Sequence, residues 1–186
     1  MNKRKLILII LLILCLFGCS VKEKKAQIIN AEMAVKDYGT VKMELYPDIA
    51  PKTVENFVSL VKEGFYDGNV FHRIIDGFMI QGGADFNGTA SNIEGEFASN
   101  GFENSLEHTE GVISMARAKD PNSASSQFFI MVGEAPWLNG EYAAFGKVTE
   151  GLDIVKKIAK DARPYDDNGS ILPEEMPVIE YIKIIE

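Results

Sequence analysis

The stretch Phe71-His72-Arg73-Ile74-Ile75-Asp76-Gly77-Phe78-Met79-Ile80-Gln81-Gly82-Gly83 sets one arginine and one glutamine among Phe71, Phe78 and Met79, then ends in a glycine pair. Two later segments, Ser125-Ser126-Gln127-Phe128-Phe129-Ile130 and Trp137-Leu138-Asn139-Gly140, repeat that mixture of apolar and hydrogen-bonding side chains. Brought together, they would make an apolar pocket with a few polar groups at its rim. Hydrolytic chemistry has little to work with. Ser125 and Ser126 lie outside any Gly-x-Ser-x-Gly elbow, and no histidine is placed to support them. The two histidines, His72 and His108, are far apart in sequence, a poor basis for zinc. That combination suits a site that binds and twists a peptide rather than one that cuts it.

Short strands and two helices must position these groups. Alternation over 32–36 and 40–46, around Asp37-Tyr38-Gly39, predicts a hairpin. Pro51 opens a helix, with Val54, Phe57, Val58 and Val61 on one face and Gly64 as its stop. Strands are expected at 70–75, 78–81, 111–117, 127–132, 143–148 and 178–185, and a second helix at 151–159. Residues 85–104 form a long loop rich in Gly, Asn and Ser, a length that is often functional. Many short strands with turn signals and two helices give a mostly β fold, an antiparallel barrel with helical plugs.

The N-terminus is a separate story. Lys3, Arg4 and Lys5 precede an unbroken apolar run, Leu6 to Phe17, shorter than the roughly 20 residues of a spanning helix. This reads as an export signal, residues 1–18, that is removed. Its Leu16-Phe17-Gly18-Cys19 ending resembles the lipobox of bacterial lipoproteins, which implies that Cys19 carries lipid and becomes the new N-terminus. Ordinary signal cleavage and an uncleaved anchor are the alternatives. Removing 1–18, with three cations and no acid, takes the formal net charge from −8 to −11. An acidic chain argues against nucleic acid as a partner. Cys15, the only other cysteine, leaves with the signal, so the domain must be stable without a disulfide. Residues 19–30 read as a lipidated tether of at most ~40 Å, and the domain as 31–186. The expected location is a bacterial cell membrane, lipid-anchored, on its extracytoplasmic face.

From about Met33 onward the chain resembles the cyclophilin family of peptidyl-prolyl cis-trans isomerases. The resemblance is carried by Phe71-His72-Arg73, Phe78-Met79 with Gln81-Gly82-Gly83, Gly111-Val112-Ile113-Ser114-Met115-Ala116, Ser126-Gln127-Phe128-Phe129-Ile130, Trp137-Leu138-Asn139-Gly140 and Phe145-Gly146-Lys147-Val148, in that order. It implies a closed eight-stranded antiparallel β-barrel capped by two α-helices, with the active face outside the barrel. It implies that Arg73 is the main catalytic residue, helped by Gln81. Phe78, Met79, Phe129 and Leu138 would line the proline pocket. Ala116, Gln127 and Trp137 would belong to the peptide groove, Trp137 being the position linked to cyclosporin binding. His72 and Tyr142 complete the implied substrate site, although His72 read alone is a packing residue. Tyr142 stands where many eukaryotic members carry histidine, and Arg117 replaces an asparagine. Gly88-Thr89-Ala90-Ser91 departs from a Gly-rich run found in many members, so the subsite for residues before the proline differs.

The activity so implied is acceleration of X-Pro bond rotation in exported proteins, a folding aid at the membrane surface. The partners would be proline-containing polypeptides and the membrane; no cofactor or metal is needed, and a monomer is expected. Two other readings stay open: a domain that holds Pro-containing segments without turning them over, and a lipoprotein with a structural or adhesive role.

Overall fold

The computed structural model describes residues 27–185. The signal sequence and Cys19 lie outside the described residues. Strand β1 (Ile29–Val35) starts two residues before Ala31 and pairs through the 36–38 turn with β2 (Gly39–Leu45), Ile29 opposite Leu45. Helix α1 (Pro51–Lys62) buries Thr53, Val54, Phe57, Leu60 and Val61, while Val58 is only half-buried. Then follow β3 (Phe71–Ile75), β4 (Met79–Gly82), β5 (Val112–Met115), β6 (Phe128–Met131), β7 (Ala144–Glu150), helix α2 (Leu152–Asp161) and β8 (Ile179–Ile185).

All eight strands form one antiparallel sheet in the order β3-β4-β6-β5-β7-β2-β1-β8. The sheet curls into a half-barrel, with α1 packed against β8 and α2 against β2 and β4. Inside it sits an aromatic cluster. Phe57 meets Phe128 edge-on at 5.4 Å between centroids, and Tyr66 and Phe145 lie 5.1 Å from Phe57.

The closed barrel expected from the resemblance is not what forms. No ladder joins the outer strands β3 and β8. Single contacts cross the seam instead: a bridge between Val70 and Val178, and amides of Gly68 and Phe71 donating to Ile179 O and Pro177 O. The reason is local. Pro177, which accepts from Phe71, has no N–H to return, and residues 173–175 before it turn as a short 3-10 helix, so β8 does not extend backward along β3.

The strands β5 and β6 are buried on both faces, and β4 at every residue but Gln81, which explains the unbroken apolar run Phe128-Phe129-Ile130-Met131. Successive side chains point to opposite faces. Ile80, Ile113, Phe128 and Ile130 enter the main core. Met79, Val112, Phe129 and Met131 enter a second, smaller cluster with Leu138 and Ala144. The glycine pair after Gln81 is required by close chain approach. A Cβ at Gly82 would lie 2.8 Å from Val70 O, and one at Gly83 2.7 Å from Ser126 O.

Candidate active site

The second cluster is the floor of a cavity of about 160 Å³ on the outer face of β4, β6 and β5. Period two delivers its residues. Met79 and Gln81 are two apart on β4, and Phe129 is the register partner of Gln81. Phe78 and Leu138 add apolar wall, and Ala116, Arg117 and Tyr142 close the far side. Arg73 reaches this face because β3 is bulged. Phe71 pairs with Gly82 and Arg73 with Gln81, so His72 is the extra residue.

Arg73 is held on two edges of its guanidinium. Nε donates to the main-chain oxygen of Asn168 at 2.8 Å, and Nη1 to Gln81 Oε1 at 3.3 Å, with Met79 Sδ 3.8 Å away. Neither contact uses Nη2. Gln81 Nε2 in turn donates to Gln127 Oε1 at 2.9 Å, so an Arg-Gln-Gln chain runs along the rim. The cavity thus gathers Arg73, Gln81, Phe78, Met79, Ala116, Phe129, Leu138 and Tyr142 from the sequence-derived set. Three expected residues do not line it. Gln127 joins through Gln81. Trp137 is 67 % exposed and touches the site through Phe78, 6.0 Å between ring centroids. His72 sits at the bulge with Nδ1 buried and unpartnered.

Two groups outside that set shape the cavity. Arg117 lies between Phe97 and Tyr142, its guanidinium carbon 4.9 and 4.7 Å from the ring centroids, and its Nε donates to Glu141 O at 3.0 Å. It therefore braces Tyr142. His108, 2 % exposed, stacks on Phe129 at 6.0 Å. Its Nδ1 donates to Asn139 Oδ1 at 3.1 Å, since that oxygen also accepts the His108 amide; Nε2 is then free to accept from Ser114 Oγ at 3.0 Å. The Trp137-Leu138-Asn139-Gly140 signal marked this turn, but nothing in it pointed to His108. Among the described residues no group of three or more His, Cys, Asp and Glu side chains is placed to hold a metal ion.

Burial lowers the pKa of both His72 and His108 below the ordinary 6.5. Gln127 and Asn139 respectively oppose the shift, and Arg73 adds to it at His72. The unfolded chain therefore takes up protons at a higher pH than the folded one. The resulting stability is fully present above the unfolded value and is lost as pH falls through the folded ones. We expect the thermal midpoint to drop between pH 7 and pH 5, and the drop to shrink in His72→Asn. A midpoint flat across that range would contradict the neutral, buried assignment.

The chain is similar to known proteins over most of its described residues. The family described as cyclophilin type peptidyl-prolyl cis-trans isomerase/CLD matches residues 30–184. Peptidyl-prolyl cis-trans isomerase B of Escherichia coli (strain K12) is 37% identical over 158 residues, 81% of this chain and 96% of that protein. A peptidyl-prolyl cis-trans isomerase of Acinetobacter baylyi is 47% identical over 131 residues, 65% of this chain and 67% of that one. The crystal structure of a Cryptosporidium parvum cyclophilin type peptidyl-prolyl cis-trans isomerase superposes with a TM-score of 0.73 at 30% identity, covering 86% of this chain and 99% of that one. The same protein in the presence of the dipeptide Ala-Pro gives a TM-score of 0.72 at 30% identity, over 84% and 99% of the two chains.

Proposed function

The chain belongs to the cyclophilin-type peptidyl-prolyl cis-trans isomerase family and is an enzyme of that type; from that premise we propose that it rotates X-Pro bonds in exported proteins at an extracytoplasmic membrane surface. The observation that carries the catalytic part is the placement of Arg73, fixed on two edges, at the wall of an otherwise apolar cavity.

The X-Pro bond prefers trans by only about 0.5–1 kcal/mol, yet amide resonance sets a rotation barrier of ~18–20 kcal/mol. In the twisted state that resonance is lost and the proline nitrogen regains a lone pair. A cationic donor aimed at that nitrogen favours the twisted state over both planar ones. Arginine suits the task because its guanidinium stays charged and its donors form a rigid fork. In this reading Phe78, Met79, Phe129 and Leu138 clamp the proline ring while the flanking carbonyl turns, which is catalysis by orientation. Gln81 steadies Arg73. Ala116, Gln127 and Tyr142 border the peptide, and exposed Trp137 is the place for a cyclosporin-type ligand. His72 backs Arg73 from the bulge rather than meeting the proline. No step needs a general base, a metal or a cofactor. The Ala-Pro dipeptide used with the Cryptosporidium parvum relative supports a proline-containing substrate here.

The location rests on the N-terminal residues. Lys3-Arg4-Lys5, the apolar run to Phe17 and Cys19 support export, cleavage after Gly18 and lipid attachment to Cys19. Because β1 begins at Ile29, Ser20 to Ile28 would link lipid to domain with a reach of at most about 30 Å. No helix among the described residues is long and apolar enough to cross a membrane. The cleaved chain would act as a monomer on polypeptides, its charge of −11 disfavouring nucleic acid. Two measurements test the proposal. Cys19→Ser is expected to abolish labelling by an alkyne fatty acid and to move the protein from the membrane to the soluble fraction. Undiminished labelling would refute lipid attachment at Cys19. A depletion strain should accumulate slowly folding exported proteins; unchanged folding of every exported protein would remove the proposed clients.

A further inference from the structure

The geometry points to the 163–171 loop as the device that orients Arg73, with the main-chain carbonyl of Asn168 as positioning acceptor and Gly169 as the residue that permits it. This deepens the reading of Arg73 as the group that acts on the proline nitrogen, and rests on it.

The seam where β3 and β8 fail to pair leaves the outer edge of β3 unladdered, and this loop takes it. Ile74 N donates to Gly169 O at 2.8 Å, Ile171 N donates to His72 O at 3.0 Å, and Arg73 and Ser170 form an isolated bridge. The loop is closed on itself. Tyr165 N donates to Ser170 O at 3.0 Å, Gly169 N to Asp166 O at 3.2 Å, and Ser170 N to the Asp166 carboxylate at 2.9 Å. The Ser170 amide first, then its hydroxyl and the amides of Asn168 and Gly169, hold the Asp166 carboxyl below its ordinary pKa against the opposing effect of burial.

Gly169 is where the loop meets the strand. Its φ is +85°, and a Cβ there would lie 2.5 Å from Ile75 Cγ1 and 2.6 Å from Ile74 O. Both constraints exclude a side chain, one by conformation and one by space. Any larger residue must lift the loop, and the Asn168 carbonyl lifts with it. Arg73 would then keep only the longer bond to Gln81. A long side chain held at one edge swings, and a misplacement of about 1 Å can cost up to about 100-fold in rate. The apolar walls stay in place, so binding of the proline is spared.

The test measures kcat and KM with a saturating X-Pro peptide, together with the 15N–1H signal of Arg73 Nε, which a carbonyl acceptor protects from exchange with water. Gly169→Ala is expected to lower kcat about tenfold or more, leave KM within about twofold, and abolish the protected Nε–H signal. Asp166→Ala should shift both readouts the same way by less, and it carries the test if Gly169→Ala does not fold. Asp167→Asn, exposed and outside these contacts, should match the parent. A kcat within twofold of the parent in both variants would overturn the inference, as would a fall in kcat with the Nε–H signal retained. Arg73→Lys separates the two levels. If it is inactive while Gly169→Ala is fully active, only the loop assignment fails; if it is fully active, the reading of Arg73 fails with it.

Discussion

Arg73→Lys is expected to lower kcat/KM for a short X-Pro peptide by about 100-fold or more, with little change in the unfolding midpoint. The estimate follows from removing one preorganised donor aimed at charge that develops in the transition state, which costs about 10²–10³ in rate. Lysine keeps the positive charge, so the prediction turns on geometry. An ammonium is a point donor on a flexible stem and cannot use one edge for Asn168 O, another for Gln81 Oε1 and still present a third to substrate. The folding effect should be small because the Arg73 side chain is only partly buried and its partners remain accessible to water. Gln81→Ala should fall between Arg73→Lys and the parent, since the bond to Asn168 survives. The measurement is a protease-coupled isomerisation assay across peptide concentrations, with unfolding followed by circular dichroism. Parent-like turnover in Arg73→Lys would show that charge alone is enough, and would end the case for a directed donor.

How much of this site was readable in advance depended on which groups have a side-chain signal. The resemblance names Met79, Gln81 and Phe129 together; that they share a face is seen only in the structure, where period two on β4 and the β4–β6 register bring them to one cavity. The two helices and the 36–38 hairpin were legible, because apolar spacing and proline or glycine punctuation act over a few residues. Three features were not. The Asn168 carbonyl is a main-chain atom 95 residues from Arg73, so no residue type advertises it. His108 looked like an isolated histidine until the fold set it between Asn139, Ser114 and the ring of Phe129. The sandwich of Arg117 between Phe97 and Tyr142 joins three separate segments. The closed barrel expected from family likeness was wrong for a local reason, the proline-bearing approach to β8. The open seam it leaves is the opening through which the 163–171 loop reaches Arg73.

Glu96→Ala is the largest stability effect expected from a single polar side chain, about 3 kcal/mol. Helix α1 has no cap of its own. Ala50 offers no side-chain oxygen, and Pro51 occupies the first helical position without an N–H. The next two amides, Lys52 N and Thr53 N, donate to the two oxygens of the Glu96 carboxylate at 2.9 and 2.8 Å. Glu96 is 1 % exposed and more than 40 residues away in sequence. Hydrogen bonds to a charged group contribute about 1.5–3 kcal/mol each, not additively, and an anion at a helix N-terminus adds roughly 0.3–1 kcal/mol. The same residue anchors the 85–104 loop, since its main-chain oxygen accepts Asn104 Nδ2 at 2.9 Å and that nitrogen also reaches Ala144 O. Truncation therefore strands the buried Thr53 amide and the part-buried Lys52 amide, and cuts the side-chain tie between helix α1 and the loop that carries Phe97 beneath Arg117. For a domain of this size the thermal midpoint should fall by about 6–12 °C, with an unchanged denaturant m-value. Glu96→Gln keeps the shape and one good acceptor, so its cost should be about half. If alanine costs less than about 1 kcal/mol, water satisfies those amides and the cap is dispensable. If glutamine costs as much as alanine, the charge rather than the bonding geometry holds the helix to the loop.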